Sequence, residues 1–297
     1  MIKLQLMPGL APGAPSKGRK AFRNYLLRSL LAPVSAARWR RHIRALYRDV
    51  AAAPPPVRVL AKPVRRYVHR AYWPRQRLAL LFEHYRWLRA LFSRDFLARL
   101  YAEAPLPIVA LSGRRGGEYA LFVIAANVVA MQREGELAIV VAKRATGREL
   151  SRLSLCFARV DGEPAIVVGG LQGPAGIFKR DVIDATRDLY GLRPKDAALL
   201  AARAMGRALG FNALHGICDA NHVLRRLQNK TKFSRYDDYW LERGGKRDGP
   251  FGFVFGPLDT SAPCRDRRDA TKAAIVAGME AFVAAHRAPP RPPDSDL

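Results

Sequence analysis

Residues 166–240 read IVVGGLQGPAGIFKRDVIDATRDLYGLRPKDAALLAARAMGRALGFNALHGICDANHVLRRLQNKTKFSRYDDYW, and the punctuation of that stretch decides the fold. Ile166, Val167 and Val168 are β-branched and predict a short buried strand that stops at Gly169-Gly170, after which Leu171-Gln172-Gly173-Pro174 turns the chain. Val182, Ile183, Thr186, Leu189 and Tyr190 then recur at helical spacing with charged residues opposite, and Gly191 supplies a left-handed end to that helix. Pro194 suits the first turn of a second helix and Gly210 its end. Residues 213–218 read as another buried strand. Asp219-Ala220-Asn221-His222 sits where that strand stops, the position at which α/β proteins place ligand-contacting side chains.

Upstream, apolar runs over 108–111, 119–131, 136–143, 150–160 and 164–170 predict strands, separated by turns at Gly116-Gly117, Glu134-Gly135, Thr146-Gly147 and Asp161-Gly162; the last is a hairpin signal. Residues 76–101 carry one apolar stripe from Leu78 through Leu88 to Leu100 and predict one long helix packed on the sheet. His84, beside that stripe, reads as a satisfied core or boundary histidine. A late strand over 251–255 and a helix over 268–285 close the chain. The expected fold is α/β in the α+β sense: a mainly antiparallel central sheet flanked by helices, with a basic helical extension before it. Composition divides the chain into a disordered leader (1–17), a basic helical extension (18–75) joined through Pro54-Pro55-Pro56, an α/β core (76–286) and a Pro-rich disordered tail (287–297).

The charge is concentrated. The chain carries 51 Lys+Arg against 25 Asp+Glu, net +26; residues 1–104 hold 22 basic and 4 acidic side chains, +18, and the remainder only +8. Part of this reflects a preference for Arg over Lys, 40 to 11. The rest asks for an anionic partner, phospholipid or lipopolysaccharide phosphates before nucleic acid, because no DNA- or RNA-binding signature accompanies the charge. No apolar run reaches the roughly 18 residues of a membrane span, and no signal-peptide core is visible, so the expectation is a cytoplasmic protein, at most peripheral to the inner membrane. Cys156, Cys218 and Cys264 lack the paired spacing of a zinc or disulfide framework, and no metal site is expected.

Taken in order, EGEL at 134–137, GGLQGP, YGLRPK, DANHV and YDDYW-ER-GG resemble the VirK/YbjX family of bacterial proteins, over roughly residues 82–255. That resemblance implies a link to envelope integrity or virulence and names no chemistry. The order of elements also resembles the GNAT N-acyltransferase superfamily, in which the loop after the fourth strand holds the pyrophosphate of coenzyme A on backbone N–H groups and a helix N-terminus. Carried onto this chain, the likeness makes Gly169, Gly170, Gln172, Gly173, Arg193 and Lys195 the acyl-coenzyme A side. His222 becomes the base, Tyr236 the acid, and Glu134 or Glu136 the carboxylate that orients His222 or orders a water. Asn221, Asp238, Tyr239 and Trp240 would face the acceptor. Each has a plainer reading: Asn221 caps a helix, Glu134-Gly135 makes a turn, Trp240 fills the core, and the glycines form a tight strand-to-helix turn. The competing class is a non-catalytic protein that docks on an anionic membrane or envelope component through its basic first third.

Overall fold

A computed structural model describes residues 15–50, 53–174, 176–224, 235–261 and 264–289. Its centre is an eight-stranded sheet in which the strands neighbour one another in chain order, except that the last two are exchanged so that the final strand lies inside the one before it. The first five strands, β1 Leu106–Ser112, β2 Glu118–Ala125, β3 Leu137–Lys143, β4 Arg148–Val160 and β5 Glu163–Gln172, form an antiparallel meander. Asp161 and Gly162, at φ 50° and 88°, make the tight turn between β4 and β5, as the Asp-Gly pair predicts. Nearly every residue of β2 and β3 is buried, so both sheet faces are covered.

After β5 the chain crosses over through α6 Lys179–Asp188 and α7 Pro194–Leu209 and returns as β6 Ala213–Ile217, parallel to β5. Gly191, at φ 84°, and Gly210, at φ 77°, terminate the two helices as their positions predict. α8 Tyr236–Glu242, β7 Lys246–Asp248 and β8 Gly252–Phe255 follow, β8 lying antiparallel to β6. α9 Arg267–His286 packs on α7 and β1. The parallel pair ends early: β5 and β6 are partners from Ala165↔Ala213 to Val168↔Gly216, whereas β5 stays paired with β4 as far as Gln172. The last four residues of β5 thus have a strand on one side only.

The basic segment folds as α1 Pro15–Leu30, α2 Pro33–Val50 and the short α3 Val57–Leu60. It shares the core of the sheet: Trp39, Ile43 and Tyr67 are fully buried. The leader over 1–14 and the tail over 290–297 lie outside the described residues, while Pro15 to Lys17 already belong to α1.

Three elements differ from their sequence reading. The helix expected over 76–101 is two, α4 Pro74–Leu91 and α5 Arg94–Tyr101. Ser93 caps α5 by accepting from Phe96 N–H, and the break pairs with the chain after α9, Ser93 N–H to His286 O (2.8 Å) and Ala288 N–H to Leu91 O (2.9 Å). The apolar stripe runs on through the break, Leu88, Phe92, Phe96 and Leu100 all being buried, which is why periodicity did not mark it. The run 119–131 is a strand only to Ala125; beyond it the backbone folds back, Met131 N–H reaching Ala126 O at 2.8 Å with Ala130 at φ 60°. Finally, β5 does not stop at Gly169-Gly170 but continues to Gln172.

Candidate functional site

The turn Glu134-Gly135-Glu136, which leads into β3, lies across β4 and β5, and glycine makes that approach sterically feasible. A Cβ on Gly135 would lie 2.7 Å from Leu155 O, one on Gly169 would lie 1.9 Å from Glu134 O, and one on Gly170 would lie 2.7 Å from the Glu134 carboxyl. Gly169 is also the residue skipped in the β4/β5 ladder, between Ser154↔Gly170 and Leu155↔Val168, a bulge of one residue. The sequence reading placed Gly169 and Gly170 in a loop open to a ligand; they lie inside β5, with Glu134 in the space their missing side chains leave. Gly173 differs, the nearest atom to its Cβ position being Lys195 Cε at 3.8 Å.

Four of the residues singled out in the sequence converge on the Glu134 carboxylate and on the unpartnered end of β5. His222 Nε2 lies 2.8 Å from Glu134 Oε1, both side chains being almost fully buried. Gln172 Nε2 donates to both carboxylate oxygens, at 3.0 and 2.8 Å, and its own carbonyl oxygen accepts from Arg152 (3.1 Å). His222 Nδ1 accepts the N–H of Leu224 at 3.3 Å, which leaves the ring proton on Nε2, pointed at Glu134. Tyr236 OH accepts from Leu171 N–H at 3.2 Å, a donor that β6 no longer reaches, and its ring lies 4.9 Å from that of His222. Burial, with Glu134 adding to it, pushes the Tyr236 phenol well up and keeps it protonated. Asp219, at the end of β6, fixes the start of α8 by accepting from the backbone N–H of Tyr236 (3.0 Å) and Asp237 (3.4 Å).

A strap from the basic segment covers this cluster. Val68 N–H donates to Arg133 O (2.7 Å), His69 bridges to His222, and Arg70 N–H donates to Asn221 O (2.9 Å). Val68 is β-branched and fully buried, yet sits at φ 51°, a conformation that costs on the order of 1–3 kcal/mol and persists only where the surroundings impose it. Asn221 is engaged here, its Nδ2 also donating to Pro250 O (3.3 Å).

Glu136 belongs to a different cluster. It accepts from Lys62 Nζ (2.5 Å) and from Tyr85 OH (2.6 Å), all three being buried, so the two glutamates of one turn serve separate polar groups. Neither partner was foreseen; the available signal was Lys62, a single charge inside the run VLAKPV. The cofactor-side cations divide as well. Lys195, at the start of α7, flanks Gly173, whereas Arg193 is exposed and pairs with Glu242 at 3.7 Å. Next to them Asp196, which with Arg243 lines a groove of about 670 Å³, binds Arg243 through both oxygens (2.8 and 3.0 Å) and accepts from Tyr239 OH (2.9 Å), so Tyr239 is tied to Asp196 and not to His222. Asp238 is exposed and pairs with Arg235 at 3.4 Å. Trp240 is core: fully buried, it packs on Gly216 and donates to Ile217 O at 2.9 Å. Among the described residues no group of three or more His, Cys, Asp or Glu side chains is arranged to hold a metal ion.

The family model described as protein of unknown function (DUF535) matches residues 15–261. The chain belongs to that family. A curated relative, the uncharacterized protein YbjX of Escherichia coli (strain K12), is 27% identical over 269 residues, 84% of this chain and 77% of its own. The VirK/YbjX resemblance of the GGLQGP, YGLRPK and DANHV motifs is therefore membership. The match takes in the strap, the glutamate turn, both strands of the parallel pair and α8, and ends before α9. Among solved structures, a cAMP-binding acyltransferase from Mycobacterium smegmatis aligns with 69% of this chain and 60% of its own at a TM-score of 0.31 and 9% identity, too slight a likeness to carry an argument. No helix of the described residues is long and apolar enough to cross a membrane.

Proposed function

We propose that this family member transfers an acyl group from an acyl-coenzyme A to an amine at the end of β5, in a role at the bacterial envelope. The observation that carries the reading is the early parting of the parallel pair: beyond Val168 and Gly216, β5 lacks a neighbour on the β6 side, and Tyr236, His222 and Glu134 occupy that margin. Open space at Gly173 and the half-buried Lys195 beside it suit a phosphate-bearing donor, and burial pushes the Lys195 ammonium down. In this reading Glu134 orients His222 through Nε2, as a carboxylate orients a general base in hydrolases. His222 Nδ1, once it releases Leu224 N–H, takes the proton of the attacking amine. The new N–C bond forms as the C–S bond breaks and the thiolate takes the Tyr236 proton; once coenzyme A leaves, His222 gives its proton to water and Tyr236 regains one from water, which restores both groups.

The test is calorimetric titration of acetyl- and longer-chain acyl-coenzyme A into wild type and three variants checked for fold by circular dichroism. Gly173→Val should abolish binding by filling the open space. His222→Gln and Tyr236→Phe should bind as wild type does and, with any amine that supports thiol release, lower kcat by about 100-fold or more. Absence of binding to wild type up to millimolar concentration would remove the enzyme reading and leave the docking one.

A further inference from the structure

The first two helices present a surface that the core does not use. In α1, Tyr25 turns inward and is buried, and Ser29 Oγ bonds to Tyr25 O, which sets the opposite face outward. On that outward side Phe22, Leu26 and Leu30 recur at intervals of four, and Leu27, Leu31 and Val34 add to them; Leu30 and Leu31 are 75% and 85% exposed. Isolated exposed apolar residues are ordinary, but six large ones within thirteen positions form a patch. A groove between α2 and α4, lined by Val34, Arg38, Arg75, Leu78 and Phe82, extends it. The same two helices carry exposed Arg23, Arg28, Arg38, Arg41, Arg44 and Arg48, and the sequence has no acidic residue before Asp49.

We infer that the α1–α2 face is a membrane-interface surface, whose occupant is the headgroup and upper acyl region of an anionic lipid bilayer. Both halves of the pattern are needed for this assignment. Arginines at this density select an anionic partner, and a row of exposed leucines selects one with an apolar phase beneath its charge, which a nucleic acid does not offer. A second copy of the chain is disfavoured because it would bring together two faces whose charges are all positive. The helix lies in the interface rather than through it, since no described helix can span a bilayer. The inference is independent of acyl transfer: the surface uses none of the residues around Glu134.

The experiment uses the full chain and sedimentation with vesicles of phosphatidylcholine alone or mixed with phosphatidylglycerol. Wild type should bind the mixed vesicles and not the neutral ones, and about 0.5 M salt should release most of it. Leu26→Ser with Leu30→Ser should weaken vesicle binding by at least about tenfold, as should Arg41→Glu with Arg44→Glu, with the circular dichroism spectrum and acyl-coenzyme A titration unchanged. Equal binding to neutral and anionic vesicles, or vesicle binding indifferent to the leucine pair, would overturn the inference. So would a concentration-dependent dimer that the leucine pair abolishes, or binding confined to single-stranded DNA.

Discussion

Gly169 and Glu134 fit so closely that a methyl group on the one would overlap the carbonyl oxygen of the other, at 1.9 Å. That contact seats the glutamate turn against β5 and places Glu134 where it meets His222. Gly169→Ala should therefore lose at least about 3 kcal/mol of stability in urea denaturation or fail to fold, because a backbone atom cannot yield as a side chain can. Gly173→Ala, with open space around it, should stay within about 1 kcal/mol of wild type. Equal effects at the two positions would mean that the glycines serve one purpose.

The buried carboxylate of Glu134 satisfies donors from both Gln172 and His222. Glu134→Ala should cost about 3–5 kcal/mol, since it leaves buried donors without acceptors, whereas Glu134→Gln should cost less by keeping an acceptor. Denaturant midpoints for the two variants check this.

Lys62 and Glu136 tie the basic segment to the sheet through a buried ion pair. Lys62→Met alone should destabilise by about 3–5 kcal/mol by stranding Glu136, and adding Glu136→Gln should recover part of that loss. A double variant no better than the single one would show that the pair contributes more than mutual neutralisation.

Much of the fold was legible because burial leaves a periodic trace. Residues 136–143 and 150–160 read as strands, and Leu137–Lys143 and Arg148–Val160 are strands, while Gly191 and Gly210 end their helices. What periodicity could not show was contact between distant segments. Ser93 interrupts an unbroken stripe because its partner, His286, comes from the far end of the chain. The convergence of His222, Tyr236, Gln172 and Glu134 was read from motif order, but the strap through His69 was not, since a bridge between two short loops has no composition of its own. The glycines around Gln172 were read as space for a ligand when most of that space belongs to Glu134; a close backbone approach by protein and one by ligand make the same demand on sequence.

His84 gives a pH prediction. Fully buried, with Nδ1 accepting Phe157 N–H at 3.0 Å, it is pushed down from 6.5 to about 4 by burial, which outweighs the upward pull of Glu136, while Lys62 lowers it further. The unfolded chain therefore binds the proton first as pH falls, so stability should be full above about pH 6.5 and decline between there and about pH 4 by roughly 3 kcal/mol. His42, His69, His215 and His286 shift in the same direction. His84→Gln should flatten that decline in urea titrations at several pH values, and an unchanged slope would assign it to the other histidines.

Amide hydrogen exchange with and without saturating acyl-coenzyme A tests most directly whether the end of β5 binds an acyl donor. If the donor lies where β5 and β6 part, added protection should appear over residues 170–174 and 217–224 and at the start of α7, leaving α1 and α2 unchanged. Protection absent from the end of β5, or confined to the α1–α2 face, would contradict the account.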